Sequence, residues 1–539
     1  MRPRGTPARS GRFDERDAIL ITYGDSVLAP DMPPLQALDA FAARRLSELV
    51  STIHILPFFP YSSDYGFSVI DYERVNPALG DWDDVATLRV RFKLMFDVVL
   101  NHVSAESPWF QAFLRGEPPY DGFFITVDPR TDLSGVTRPR TTPLLTRFET
   151  ASGERWVWTT FGPDQVDLNY ANPAVLLRML DVILSYVERG ADLLRMDAVG
   201  YLWKQVGTSC IHLPQTHEVI KLFRDVLDAA APQVQIVTET NVPHADNVAY
   251  FGDGHDEAQM VYQFPLAPLV LDALARGDTA RLTAWARGLA PPSDETTFFN
   301  FLASHDGVGL VPARGLLSDD EVAALAEQVL THGGQVSYKT NPDGSESPYE
   351  LNATFFDVLS NPSPGPEPQA TRLDRFICSQ AIMLAMAGVP GIYVHSVLGS
   401  HNDQAGYARS GWKRDLNHEH LDLDALERRL TDPASETGHV FARYAHLLTT
   451  RRAQPAFHPN APQEMLALGP AVFALRRGPR NGQTILALHN ISGEAHPVDL
   501  AALGDEHRVD LLSDRRVEPS RALELQPYEV VWLGATRAR

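Results

Sequence analysis

The sequence predicts an α/β fold, a (β/α)8 TIM barrel with two loop-insertion subdomains on its C-terminal face and a C-terminal antiparallel β domain. Three observations predict it. Short β-branched apolar runs alternate with amphipathic helical stretches, which implies repeated right-handed βα units and, at this number, a closed barrel. Two polar stretches rich in Pro and Gly interrupt the alternation and are too long for ordinary βα connections. Beyond Arg452 the texture changes to short alternating runs separated by turn residues, the pattern of an antiparallel β domain.

Taken in order, Ala18–Tyr23, Ile53–Leu56, Leu94–Leu100, Ala191–Met196, Gln235–Val237 and Phe298–Leu302 read as buried parallel strands. Val175–Glu188 and Gln215–Ala230 carry apolar residues at helical spacing. The expected organisation is barrel over 1–102, an inserted subdomain over 103–172, barrel over 173–306, a second insertion over 307–371, barrel over 372–452 and the β domain over 453–539. Residues 1–16 read as a flexible tail. Loops after barrel strands lie at the C-terminal face, so both insertions are expected to wall a pocket there.

Composition narrows the function. Lys and Arg number 47 against 68 Asp and Glu, a net charge of −21 that disfavours nucleic acid, and no large basic cluster relieves it. No run of apolar residues is long enough to span a membrane. The amino terminus is basic but lacks the apolar segment of a secretory leader, and only Cys210 and Cys378 are present; both points suggest the cytoplasm. The two cysteines read as buried apolar residues, Asp81, Asp83 and Asp84 as a helix-capping turn, and His401, His418 and His420 as solvated surface. The assembly state stays open, a homodimer among the options.

Polar residues at the C-terminal ends of barrel strands are where chemistry can sit. The third strand runs out in Asp97 and then Asn101-His102, the fourth in Arg195-Met196-Asp197, the fifth in Thr238-Glu239 and the seventh in His305-Asp306. Any one of these carboxylates alone reads as a cap or a loop ion pair. Several around one mouth point to glycosidic-bond cleavage, which needs one carboxylic acid to protonate the leaving oxygen and one carboxylate to meet the oxocarbenium-like carbon. Arg195 lies two residues before Asp197, on the same strand face, and is expected to lower its pKa and keep it ionised. Neighbouring negative charge is expected to raise Glu239, suiting it to donate a proton.

The stretches FDVVLNH, LLRMDAVGY, IVTETN and FLASHDG, in that order, resemble the four motifs of the α-amylase superfamily (glycoside hydrolase family 13). More narrowly, LPFFPYSSDYGFSVIDYERVNPALGDWDDV, RPRTTPLL, RMDAVGYLWKQVGTSC and SPYELNATFF are similar to its sucrose-phosphorylase branch. The resemblance implies Asp197 as nucleophile, Glu239 as acid/base and Asp306 as the third carboxylate. It implies a glucose subsite formed by His102, Gln165, Arg195, Tyr201 and His305, with Phe67 and Phe161 as an apolar platform and Asp64 and Arg414 closing the far end. A closed end admits one glucosyl unit and excludes starch. Arg140 and Tyr349 match loop residues near the acceptor and phosphate position, where a guanidinium suits a phosphate oxygen pair. Asn101 matches a calcium-ligand position of many amylases, but the branch is generally metal-free, so neither metal nor cofactor is expected, with inorganic phosphate as co-substrate.

Two departures concern the acceptor side: sucrose phosphorylases carry His and Gln where this chain has Asn241 and Glu350. These put fructose in doubt as leaving group. The loop SYKTNPDGSESPYELN and the segment GTSCIHLPQTHE look more like branch members that phosphorolyse glucosylglycerate. The leading expectation is retaining phosphorolysis of a small α-glucoside to α-glucose 1-phosphate through a β-glucosyl enzyme. The alternatives are action on sucrose, sucrose phosphate or glucosylglycerol, a hydrolase or transglucosylase with the same machinery, and a non-catalytic barrel scaffold.

Overall fold

The structure is a computed structural model and describes residues 12–341, 345–360, 367–503, 509–518 and 522–534. Eight strands close a parallel barrel: β1 (Ile19–Thr22), β2 (Thr52–Ile55), β3 (Lys93–Val99), β4 (Leu193–Asp197), β5 (Gln235–Thr238), β6 (Met260–Tyr262), β7 (Thr297–Phe301) and β8 (Val389–Tyr393). Each pairs with its neighbour in sequence, and β8 returns to β1 through Gly391 beside Ile19. The strands are buried on both faces, which is why they read as unbroken apolar runs. The sequence reading did not locate β6 and β8. β6 is only Met260–Tyr262, and β8 reads VPGIY, whose Pro390 and Gly391 are poor strand residues.

The outer helices follow their sequence signals. Pro173–Arg189 begins on an Asn172 cap with Pro at its first position, and it ends at Gly190 in the left-handed region (φ 106°). Its buried face is Val175, Met179, Val182, Ile183 and Tyr186, a helical stripe lying on the barrel. Asp81 caps the helix Trp82–Arg89 in a reciprocal box with Asp84, as the capping reading expected. Cys210 and Cys378 are free and buried.

The first inserted region holds the hairpin Leu145–Thr150 with Gly153–Trp158, and is tied to the barrel by His102–Ser104 pairing antiparallel with Gln165–Asp167. The second holds the helix Asp319–Thr331 and a three-stranded sheet of Val308–Gly309, Glu346–Asn352 and Gln335–Thr340. Most of the segment SNPSPGPEPQ lies outside the described residues. After the barrel, Gln463–Ala467, Val472–Arg480, Gln483–Asn490, Val530–Gly534 and Val509–Asp510 form one antiparallel sheet. Among the described residues, no helix is long and apolar enough to cross a membrane.

The predicted tail is shorter than 1–16. Phe13 is buried in the main core, Arg12 donates to the Pro232 carbonyl, and Arg451 reaches the Glu15 carbonyl at 2.7 Å, so the chain is anchored from residue 12; residues 1–11 lie outside the described residues.

Candidate active site

Two charge networks meet at the C-terminal mouth of the barrel. The first runs across β2, β3 and β4. Arg195 and Asp197 are two residues apart on β4 and therefore share a face. Arg195 Nη1 donates to Asp197 Oδ1 at 2.8 Å and also to Asp97 Oδ1. Asp97 Oδ2 accepts from the ring of buried His54 at 2.6 Å, and Arg195 Nε donates to the Tyr262 hydroxyl at 3.1 Å. The far side of the guanidinium lies 3.9 Å from Glu239, whose carboxylate also accepts the Ala198 N–H at 3.1 Å.

The direction of the Asp197 shift differs from the sequence expectation, whereas that of Glu239 agrees with it. Burial raises Asp197 and outweighs the lowering by Arg195, whose positive charge is shared with Asp97. Glu239 is also raised, by burial first and then by Asp306. Both buried carboxyls resist ionisation, and charge on one opposes charge on the other. Arg195 stands closer to Asp197 than to Glu239, so its field favours negative charge on Asp197 more than on Glu239.

The second network is centred on Arg414. Its guanidinium contacts Asp306 at 2.7 Å, Glu350 at 3.3 Å and Asp64 at 3.7 Å. Burial opposes ionisation of Asp306, but Arg414 and then His305 hold its carboxyl well below the usual range. Asp64 is lowered despite burial by Arg414, by Arg140 and by the Gln165 amide, which donates to it at 3.0 Å. Asp64 and Tyr65 both have positive φ, 53° and 52°, uncommon for such residues, and the strain is confined to a turn that aims Asp64 at Arg414. Gly66 follows at φ +100°, where a Cβ would stand 2.5 Å from the Pro57 carbonyl, so only glycine fits.

Aromatic rings line the space between these networks. Phe67 is stacked on His305 with centroids 4.9 Å apart, so one of its faces is already covered. Phe161 packs edge-on to Tyr201 at 5.4 Å and against His102 at 5.2 Å. The His102 ring is fixed by the Phe67 carbonyl at 2.9 Å. Burial pushes His305 down to about 3 and also lowers His102, so both are neutral near pH 7.

Among the loop residues, burial raises the Tyr349 hydroxyl to about 12, partly offset by Arg140. Arg140 also lowers Tyr201, Asp64 and Asp306. It forms no hydrogen bond or ion pair among the described residues. Asn241 packs on Gly309 of the second insertion, and its buried Oδ1 has no partner among the described residues. These contacts bring strand-end residues together with residues of both insertions, while Asn241 is placed only by its packing on Gly309.

Some residues were missed or misjudged. His54, Tyr262 and Lys204 were not singled out, and Asp97 was given no role. His54 had a readable signal, a polar residue in the middle of the apolar run IHIL. The buried Lys204 ammonium donates to Asn101 Oδ1 and contacts Asp167 at 2.6 Å, so a side-chain cation already sits on the Asn101 oxygen. His418 is not solvated surface: it is buried, bonds the His305 carbonyl at 2.7 Å and is pushed down to about 4 by burial. His401 is exposed but sits between Asp357 (2.6 Å) and Glu436 (3.0 Å).

The α-amylase catalytic-domain family matches residues 46–307. The chain is 55% identical over 464 residues to the glucosylglycerate phosphorylase of Allomeiothermus silvanus, covering 86% of this chain and 83% of that one. It is 48% identical over 547 residues to the glucosylglycerate phosphorylase of Spirochaeta thermophila, covering 98% and 92%. In fold it resembles the crystal structure of sucrose 6F-phosphate phosphorylase from Thermoanaerobacter thermosaccharolyticum, with a TM-score of 0.76 at 24% identity over 88% of this chain and 94% of that one. An eight-stranded parallel barrel with these strand-end carboxylates and these relatives identifies the chain as a member of the α-amylase family.

Proposed function

We propose that the chain is a retaining α-glucoside phosphorylase whose preferred substrate is glucosylglycerate. One glucosyl unit occupies the subsite closed by Asp64 and Arg414, with Asp306, His102 and His305 on its hydroxyls. The Asp197 carboxylate attacks the anomeric carbon while Glu239 passes its proton to the glycosidic oxygen, so the C–O bond breaks and glycerate leaves. Phosphate then attacks the anomeric carbon of the β-glucosyl ester from the vacated side. Its proton returns to Glu239, Asp197 is released as carboxylate, and α-glucose 1-phosphate is the product. Two inversions preserve configuration, and the reaction calls for no cofactor beyond phosphate as co-substrate.

The observation that carries this reading is Arg140. Asp64, Asp306 and Glu350 share Arg414, and Asp197 and Glu239 share Arg195, whereas Arg140 faces the same mouth with no ion-pair partner among the described residues. An uncompensated guanidinium beside two tyrosines suits a carboxylate in the first half-reaction and a phosphate in the second. Glycerate fits this better than fructose, which carries no charge, and the identity to the two glucosylglycerate phosphorylases supports the same choice. The free, buried cysteines suit a reducing compartment such as the cytoplasm.

The test is a substrate panel of glucosylglycerate, sucrose, sucrose phosphate and glucosylglycerol, each with and without phosphate. Phosphate-dependent release of α-glucose 1-phosphate, fastest from glucosylglycerate, is expected. Free glucose as the main product would make the enzyme a hydrolase, and faster turnover of sucrose would move the substrate.

A further inference from the structure

The Asp197 end of the first charge network explains glucosyl transfer, but its other end has no assigned task. His54 lies in the middle of β2, fully buried inside the barrel. One ring nitrogen, Nε2, bonds Asp97 Oδ2 at 2.6 Å, while Nδ1 has no partner among the described residues. Asp97 uses its other oxygen for Arg195 Nη1, the same nitrogen that reaches Asp197 at 2.8 Å. His54, Asp97, Arg195 and Asp197 thus form a linear chain of alternating donors and acceptors across β2, β3 and β4.

We propose that His54 is a positioning residue for glucosyl transfer, holding Asp97 so that the Arg195 guanidinium is divided between Asp97 and Asp197 rather than drawn wholly to Asp97. This rests on the retaining reading above. A buried imidazole whose second nitrogen is unbonded is neutral, and burial lowers His54 accordingly, so its one N–H must point at Asp97. That donated hydrogen bond satisfies part of the Asp97 charge. Without it, Asp97 carries its full charge in an apolar interior and competes harder for Arg195 Nη1. Asp197 then loses part of its one close cation among the described residues while Glu239 and Asp306 continue to repel it. Its ionised, nucleophilic form becomes harder to reach.

The chain also has a geometric logic. Strand neighbours place Asp97 beside Arg195 in register, and His54 lies in β2 on the other side of β3. An apolar residue at position 54 would suit β2 as well as Ile53 and Ile55 do, so a buried histidine there is unfavourable unless its hydrogen bond contributes.

The experiment uses the full chain with α-glucosyl fluoride and phosphate, following fluoride release against pH. This substrate needs little proton donation on leaving, so kcat/KM reports the attack by Asp197. In His54→Asn the amide is too short to reach Asp97, and the acid limb is expected to move up by about one pH unit, with roughly fivefold lower kcat/KM at the pH of the wild-type midpoint and about tenfold lower well below it. In His54→Gln the amide nitrogen stands where Nε2 stood, and the profile is expected to return towards wild type. His54→Leu, if folded, should match the Asn variant. An unmoved acid limb in His54→Asn, or a Gln variant as impaired as Asn, overturns the proposal. Failure of the phosphorylase reading looks different: wild-type enzyme would release fluoride but form no α-glucose 1-phosphate.

Discussion

The Glu350 carboxylate is ion-paired with Arg414 at 3.3 Å, although the two residues belong to the second insertion and to the loop after the last barrel strand. A carboxylate at this position read from sequence alone would repel both glycerate and phosphate. Paired with Arg414, Glu350 has a cation of its own, and Arg140 forms no ion pair among the described residues.

Arg140→Ala is therefore expected to lower kcat/KM for both phosphate and glucosylglycerate by a similar large factor, on the order of 100-fold, because a charge-assisted bidentate contact is lost in each half-reaction. Hydrolysis of α-glucosyl fluoride by the same variant should be nearly unchanged. Steady-state kinetics with both co-substrates varied checks this; unchanged phosphate dependence would remove Arg140 from the site.

Asp197→Asn keeps side-chain volume but removes the nucleophile, so turnover should fall by at least about 10⁴-fold with the melting temperature little altered. Trapping a 2-fluoroglucosyl ester on the wild-type enzyme and locating it by peptide mass spectrometry identifies the nucleophile directly. Attachment at any residue other than Asp197 would refute the assignment.

Glu239→Gln should spare glucosylation by α-glucosyl fluoride while lowering that of glucosylglycerate by several hundred-fold or more, since only the poor leaving group needs the proton. Equal losses for both substrates would argue against an acid role.

Lys204→Met removes a buried ammonium and leaves Asp167 without its ion pair, which is expected to cost roughly 3–5 kcal/mol. Urea unfolding measures it. A double change, Lys204→Met with Asp167→Asn, should recover part of the loss, and a non-recovering pair would show that the ammonium acts on something else.

Acid should destabilise the fold well before the carboxylates of an unfolded chain titrate. Burial holds His305 and His395 at about 3 and His418 and His489 at about 4. Below an unfolded value near 6.5 the unfolded chain binds protons that the folded chain refuses, so stability falls as pH falls, by about 1.4 kcal/mol per unit for each such histidine. The loss begins near pH 6.5 and ends for each group at its folded value. Urea midpoints at pH 7.5, 6 and 5 should drop steeply, and a flat profile would contradict the burial of these rings.

Much of the barrel was legible because a parallel strand covered on both faces must be apolar throughout, and six of its strands show it; β6 and β8 escaped because one is three residues long and the other carries Pro390 and Gly391. Asp197, Glu239 and Asp306 were legible because polar residues ending apolar runs have few structural reasons to be there. The upward shift of Asp197 was not, since a two-residue spacing shows that Arg195 is near but neither how deeply Asp197 is buried nor that Asp97 shares the guanidinium. His418 was misjudged for a similar reason: HEH in a polar loop looks like surface until the chain folds His418 onto the His305 carbonyl.

Arg140 comes from the first insertion and Tyr349 and Glu350 from the second, whereas the residues proposed for bond cleavage stand at strand ends of the barrel itself. Under the proposed function, the residues assigned to the acceptor come largely from the insertions, with Asn241, two residues after Glu239, the exception. On that reading, substitutions confined to these loop positions should change the acceptor while the strand-end residues stay as they are, so a search for new acceptors can leave the barrel undisturbed.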